Sequence, residues 1–146
     1  MEDGCALARG NRVYANTTTG IETYGAEVAG NTVYSNAVGI VDDGYSRIDN
    51  NVVYANSSEG VVIHNYHNDP SQEVVNNTID QLVGDAIDVT GASSVRLRDN
   101  ILAVDAGYAI NVASDSENGF FSDYNLFRLT GTGRVASWEG LSFATR

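Results

Sequence analysis

Asn11-Arg-Val-Tyr-Ala-Asn16, Asn31-Thr-Val-Tyr-Ser-Asn36 and Asn51-Val-Val-Tyr-Ala-Asn56 share one pattern, Asn-x-Val-Tyr-x-Asn, at a spacing of 20 residues. Self-similarity at a fixed period marks a repeat architecture, in which each copy is one unit that must stack on its neighbours to bury its apolar side. Weaker copies begin at Asn77, Asn100 and Asn125, at spacings of 26, 23 and 25 residues. A second motif follows every copy but the last, as Gly20-Ile21, Gly39-Ile40, Gly60-Val61, Ala86-Ile87 and Ala109-Ile110. A third apolar position precedes most of the repeated asparagines by three residues, at Val28, Ile48, Val74 and Leu97.

Each repeat therefore holds three short β-prone runs separated by Gly, Asn, Asp and Ser, the residues that turns select. Helices do not fit, because no stretch of about 12 residues keeps a 3.6-residue apolar period. The pattern predicts an all-β chain: a right-handed single-stranded parallel β-helix solenoid of about six rungs, with strands roughly 4.8 Å apart. One inward column is Val13, Val33, Val53, Ile79, Leu102 and Phe127. Another is Ile21, Ile40, Val61, Ile87 and Ile110, extended two residues on by Ile63, Val89 and Val112. Asparagine tolerates left-handed backbone angles, and its amide both donates and accepts. Asn11, Asn31, Asn51, Asn77, Asn100 and Asn125 are thus expected to form an amide ladder at one corner, with Asn16, Asn36 and Asn56 a shorter one at the next.

The 146 residues suit one domain, or a fragment of a longer one, with rungs over about residues 8–128 and a closing segment over 129–146. Leu129 to Arg146, with Trp138 and Phe143, is expected to fold back over the last rung. The first ten residues show no capping helix, which predicts a first rung that is either exposed or paired with further chain or with another copy end to end. The formal net charge is −11, lysine is missing, and all eight basic residues are arginines scattered along the chain, which excludes a phosphate-binding footprint and hence nucleic acid. No run approaches the ~18 apolar residues of a membrane span. Met1-Glu2-Asp3-Gly4 has neither the basic nor the apolar region of a signal peptide. Cys5 has no second cysteine to pair with and no ligand neighbours at metal spacing.

The Asn-x-Val-Tyr-x-Asn…Gly-Ile repeat resembles the right-handed parallel β-helix repeat of pectate lyase-like proteins, a group also described as carbohydrate-binding and sugar-hydrolysis domains. The resemblance covers residues 8–128. Phe121-Ser-Asp-Tyr-Asn-Leu-Phe127 and Trp138-Glu-Gly-Leu-Ser-Phe143 are similar to the closing rung of large secreted β-helix proteins. It implies an extracellular or cell-envelope setting and a polysaccharide partner, while leaving the reaction open.

Alternation along the Gly-Ile strand maps the outward positions. The first outward column is Glu22, Val41, Val62, Asp88 and Asn111; the second is Tyr24, Asp43, His64, Thr90 and Ala113. Asp43, His64 and Tyr24 are the candidate catalytic residues, since an Asp can orient a His as base and a Tyr can serve as acid. Glu22 and Asp88 on the same face, with Tyr66 and His67 in the inserted loop that follows His64, are candidate substrate-binding residues. So are Tyr14, Tyr34 and Tyr54, which form either a platform for sugar rings or a purely structural stack. Asp42 falls at an inward or turn position. Arg96 and Arg98 share a strand face suited to carboxylates or to solvent. No resident cofactor or metal site is expected, although calcium could be drawn to the turns at Asp42-Asp43-Gly44 or Asp85–Asp88. Two functions remain: a β-helix that binds glycan or serves as a surface or adhesin spacer, and a lyase or epimerase of acidic polysaccharide. The negative charge weighs against the second, because uronates need arginine or a bound cation to hold them.

Overall fold

In the computed structural model, which describes residues 6–65 and 72–144, the chain is almost entirely β and coils through six rungs of three strands. Numbered along the chain, the first sheet holds β1 (Ala6–Arg9), β4 (Ala26–Ala29), β7 (Arg47–Asp49), β10 (Glu73–Val75), β13 (Arg96–Arg98) and β16 (Phe121–Asp123). The second holds β2 (Arg12–Tyr14), β5 (Thr32–Tyr34), β8 (Val52–Tyr54), β11 (Thr78–Gln81), β14 (Ile101–Val104) and β17 (Leu126–Leu129). The third holds β3 (Thr19–Thr23), β6 (Val38–Asp42), β9 (Glu59–Ile63), β12 (Ile87–Val89), β15 (Tyr108–Val112) and β18 (Arg134–Trp138), with β19 (Leu141–Phe143) at its edge. All pairings are parallel except that of β18 with β19.

The three apolar columns stand in register as the repeat requires. Val13 pairs with Val33, Val33 with Val53, Val53 with Ile79, Ile79 with Leu102, and Leu102 with Phe127. Ile21, Ile40, Val61, Ile87 and Ile110 form the second column, and Val28, Ile48, Val74 and Leu97 the third. Together they make one continuous buried core running along the axis. The glycines of the Gly-Ile motif mark a corner with no spare room: a Cβ on Gly20 would stand 2.7 Å from the Gly39 carbonyl oxygen.

The long ladder runs through all six rungs. The backbone N–H and the Nδ2 of each asparagine donate to the Oδ1 of the next, as from Asn51 to Asn77 (2.9 and 3.0 Å) and from Asn77 to Asn100 (2.9 and 3.1 Å). The second Nδ2 hydrogen reaches a carbonyl of the previous rung, as from Asn77 to Ile48 (2.9 Å). Buried amides are thereby supplied with partners that water cannot provide. The shorter ladder gains a fourth member, Gln81, whose Oε1 accepts from the Asn56 N–H at 3.1 Å. One expectation is corrected. The left-handed residue is not the ladder asparagine but the residue before it: Gly10, Gly30, Asn50, Asn76, Asp99 and Tyr124 all have φ between 55° and 67°. The turn is made one position early, and the ladder positions select asparagine for its amide.

The C-terminal stretch continues the coil before it turns back. β18 pairs in parallel with β15, and Trp138 packs on Phe120 with ring centroids 5.5 Å apart. β19 alone reverses direction, along the edge of the third sheet. β16 remains exposed and β17 partly so, beside a hollow of about 610 Å³ lined by Tyr124, Leu126, Phe127, Leu129, Val135 and Ala144.

Candidate functional site

The outer face of the third sheet carries the predicted columns. Glu22 pairs with Val41, Val41 with Val62, Val62 with Asp88, and Asp88 with Asn111. Beyond the strand ends the coil keeps register: the Asp43 N–H donates to the Thr23 carbonyl (2.9 Å), His64 to Asp42 (2.7 Å) and Thr90 to Ile63 (3.0 Å). That stacking sets His64 above Asp43, with Nδ1 3.0 Å from Oδ1 and side chains 25% and 32% exposed. The contact with Asp43 holds the His64 ring in a fixed orientation.

Asp42 explains why this pair is held where it is. Its side chain is fully buried on top of the column that Ile63 continues, and it accepts from Gly44 N (3.1 Å), Ser46 N (3.1 Å), Ser46 Oγ (2.7 Å) and Gln72 Nε2 (2.8 Å). A buried carboxylate is tolerated only when so fully hydrogen-bonded. The Asp42 bonds fix the turn that presents Asp43, and Gln72 also donates to the His64 carbonyl (2.8 Å), tying the far end of the inserted loop to the same place. The sequence placed Asp42 at an inward or turn position but missed Gln72 and Ser46 as its partners. The signal was an Asp two residues before a Gly, the spacing at which a carboxylate bonds the backbone of its own turn.

The remaining candidates fall in different places. Tyr24 packs edge to face on Tyr45 (5.6 Å, 77°), its ring lying against Gly44 while that of Tyr45 lies against Gly25, so both rings brace the turns around Asp43. Glu22 and Asp88 share a column but are separated by Val41 and Val62, three strand steps or about 14 Å, and do not form a carboxylate pair. Asp88 accepts instead from Asn111 Nδ2 (2.7 Å) and Thr90 Oγ1 (3.1 Å). Asp85 accepts the Tyr108 N–H (2.7 Å), and burial holds its carboxyl above the usual range, with Asp88 and Glu59 adding to the shift. Among the described residues no three His, Cys, Asp or Glu side chains gather as a metal-ligand group. Tyr66 and His67, like Cys5, lie outside the described residues.

Tyr14, Tyr34 and Tyr54 do stack, at 5.2 and 4.9 Å with interplanar angles of 7° and 5°. The ring faces lie against one another, the geometry of a stack that holds adjacent rungs together. The Arg12 guanidinium lies 5.5 and 5.3 Å from the Tyr14 and Tyr34 centroids, and its Nε donates to the Tyr34 hydroxyl (2.9 Å).

A family model described as "Right handed beta helix region" matches residues 1–123. The chain belongs to the right-handed β-helix family. Neither curated proteins nor solved structures yield a match. Family membership accounts for the coil, the corner ladders and the stacked columns. The chemistry of this β-helix has to be argued from its own surface.

Proposed function

We propose that this β-helix is a polysaccharide-binding module of an extracellular or cell-envelope protein, with the outer face of its third sheet as the glycan surface. The observation that carries this reading is the pairing of His64 with Asp43 on adjacent rungs. It places an oriented imidazole and carboxylate within a row of hydrogen-bonding side chains that continues through Thr90, Asp88 and Asn111, groups that suit the hydroxyls of a sugar chain. Rungs about 4.8 Å apart offer an extended chain a contact at every step along the axis. The charge of this face favours a neutral glycan. Glu22, Asp43 and Asp88 stand on it, and the only arginine in the described strands of the third sheet is Arg134 on β18, three rungs beyond β9.

A second reading is favoured by the same 3.0 Å contact: His64 as the base of a lyase or epimerase, oriented by Asp43. A glycan array followed by calorimetry on the leading hits separates the two. Binding of neutral glycans that is lost in His64→Ala and Asp43→Asn, with no product formed, supports the module. Release of ultraviolet-absorbing unsaturated products from a uronate polymer, abolished in His64→Ala, would replace it with the enzyme. Blank results in both assays would reject both and leave a stiff spacer.

A further inference from the structure

The outer face of the first sheet carries an arrangement that the glycan face does not use. One of its columns reads Leu7, Glu27, Arg47, Glu73, Arg96 and Phe121 from rung to rung. Opposite charges alternate along it, and most are already matched. Arg9 bonds Glu27 (2.6 Å), and Arg47 bonds both Glu73 and Asp49. Glu73 is therefore spent on the rung below, and Arg96, the next residue up, forms no ion pair among the described residues. Its upper neighbour is not a carboxylate but Phe121, whose surface is 50% exposed. Arg98, two residues along the same strand and on the same face, holds only the exposed Asp99 (3.1 Å).

Beside these two arginines the turn before β16 opens a hollow of about 400 Å³, lined by Arg96, Arg98, Gly119, Phe120 and Phe121. This lies within the range of about 300–1,000 Å³ usual for small-molecule sites, and like them it joins apolar walls to a few convergent polar groups. Its apolar side is fixed, because Phe120 is packed against Trp138 at 5.5 Å. In a chain with a net charge of −11, an arginine with no ion pair among the described residues, standing beside two phenylalanines, selects for an anion with an apolar body.

We propose that this hollow binds a carboxylate carried on a ring. The planar Arg96 guanidinium takes the two carboxylate oxygens as a fork, Arg98 supplies the second cation, and Phe120 and Phe121 cover a face of the ring. The ring belongs either to a sugar acid or to an aryl acid, since both present a carboxylate beside an apolar face. Inorganic phosphate matches the arginines but leaves the phenylalanines without a role. The site lies on a different sheet from His64 and Asp43, so it stands or falls separately from the glycan reading.

The test is a two-dimensional NMR titration of the full 146-residue chain with sodium glucuronate, sodium benzoate and inorganic phosphate in parallel. Millimolar glucuronate or benzoate is expected to move the Arg96 Nε–H, Gly119 and Phe121 signals. Arg96→Gln is expected to weaken that binding about tenfold or more, and Phe121→Ala severalfold, while Arg128→Gln on the second sheet and His64→Ala leave it unchanged. Shifts with glucuronate alone support the site with a sugar acid as its ligand, and shifts with benzoate alone support it with an aryl acid. Phosphate shifting the same signals as strongly, insensitivity to Arg96→Gln in a variant with wild-type circular dichroism, or no carboxylate response would each overturn the proposal.

Discussion

Removing Asn77 tests what holds the coil closed. Its Oδ1 accepts from both the backbone N–H and the Nδ2 of Asn51, and its own Nδ2 donates to Ile48 O, Val75 O and Asn100 Oδ1. In Asn77→Ala the Nδ2 of Asn51 keeps the Val28 carbonyl (2.8 Å), and Asn100 Oδ1 keeps the residue 77 N–H (2.9 Å). The Asn51 N–H loses its partner in a site where the ladder side chains are about 1% exposed, while the Ile48 carbonyl keeps its sheet bond from the paired strand β10. One buried N–H left unsatisfied at about 1–3 kcal/mol, with about 1 kcal/mol for the hydrogen bonds lost with the amide itself, gives a loss of about 2–4 kcal/mol, a substantial part of the roughly 5–15 kcal/mol stability of a domain. Asn11→Ala is the control, because Asn11 donates to Asn31 from the first rung and its loss removes no acceptor from another ladder amide. Its expected cost is below about 1 kcal/mol. Equilibrium urea unfolding followed by circular dichroism measures both, compared as midpoints. Equal midpoint shifts for the two variants would refute the claim that ladder acceptors hold the rungs together.

Three further outcomes are expected. Gly39→Ala should destabilise by about 1–3 kcal/mol or more in the same unfolding assay, because the new methyl would press on the Gly60 carbonyl oxygen, which is backbone and cannot swing away. Asp42→Ala should cost about 3 kcal/mol or more by leaving the Gly44 and Ser46 amides and Gln72 Nε2 without their carboxylate; loss of the His64–Asp43 coupling in NMR should accompany it. Asp85→Asn should stabilise the fold at pH 7 relative to wild type, and the gain should shrink as pH falls toward 4. The folded carboxyl titrates above its unfolded value, so the folded state binds more protons in that interval and wild-type stability declines as pH rises through it. An Asp85→Asn midpoint that follows wild type at every pH would contradict this.

The coil was legible because three copies of one hexapeptide at a constant interval fix which residues sit above one another. Once Val33 lies on Val13, His64 must follow Asp43, and a contact between residues 21 apart became readable before any coordinates. The left-handed positions were not legible in the same way, since Ala15, Ser35, Ala55 and Tyr124 adopt φ between 51° and 58° despite weak preference for it. There the rung geometry overrides the residue. The alternation also gave direction without orientation: it placed Tyr14, Tyr34 and Tyr54 outward but could not show that their rings would close on one another. After Leu129 the repeat lapses, and with it the periodicity that would have separated a continuing strand, β18, from a returning one, β19.

That returning strand limits how the rod can grow. A parallel coil lengthens by translation, each new rung offering all three sheets the same unsatisfied edge that the last one did. Here β19 takes the outer edge of β18 in the opposite sense, so a further parallel strand has no seat on the third sheet, while β16 and β17 still present edges on the other two. Copies stacked in the direction of the coil would therefore meet parallel edges on two sheets and an antiparallel strand on the third.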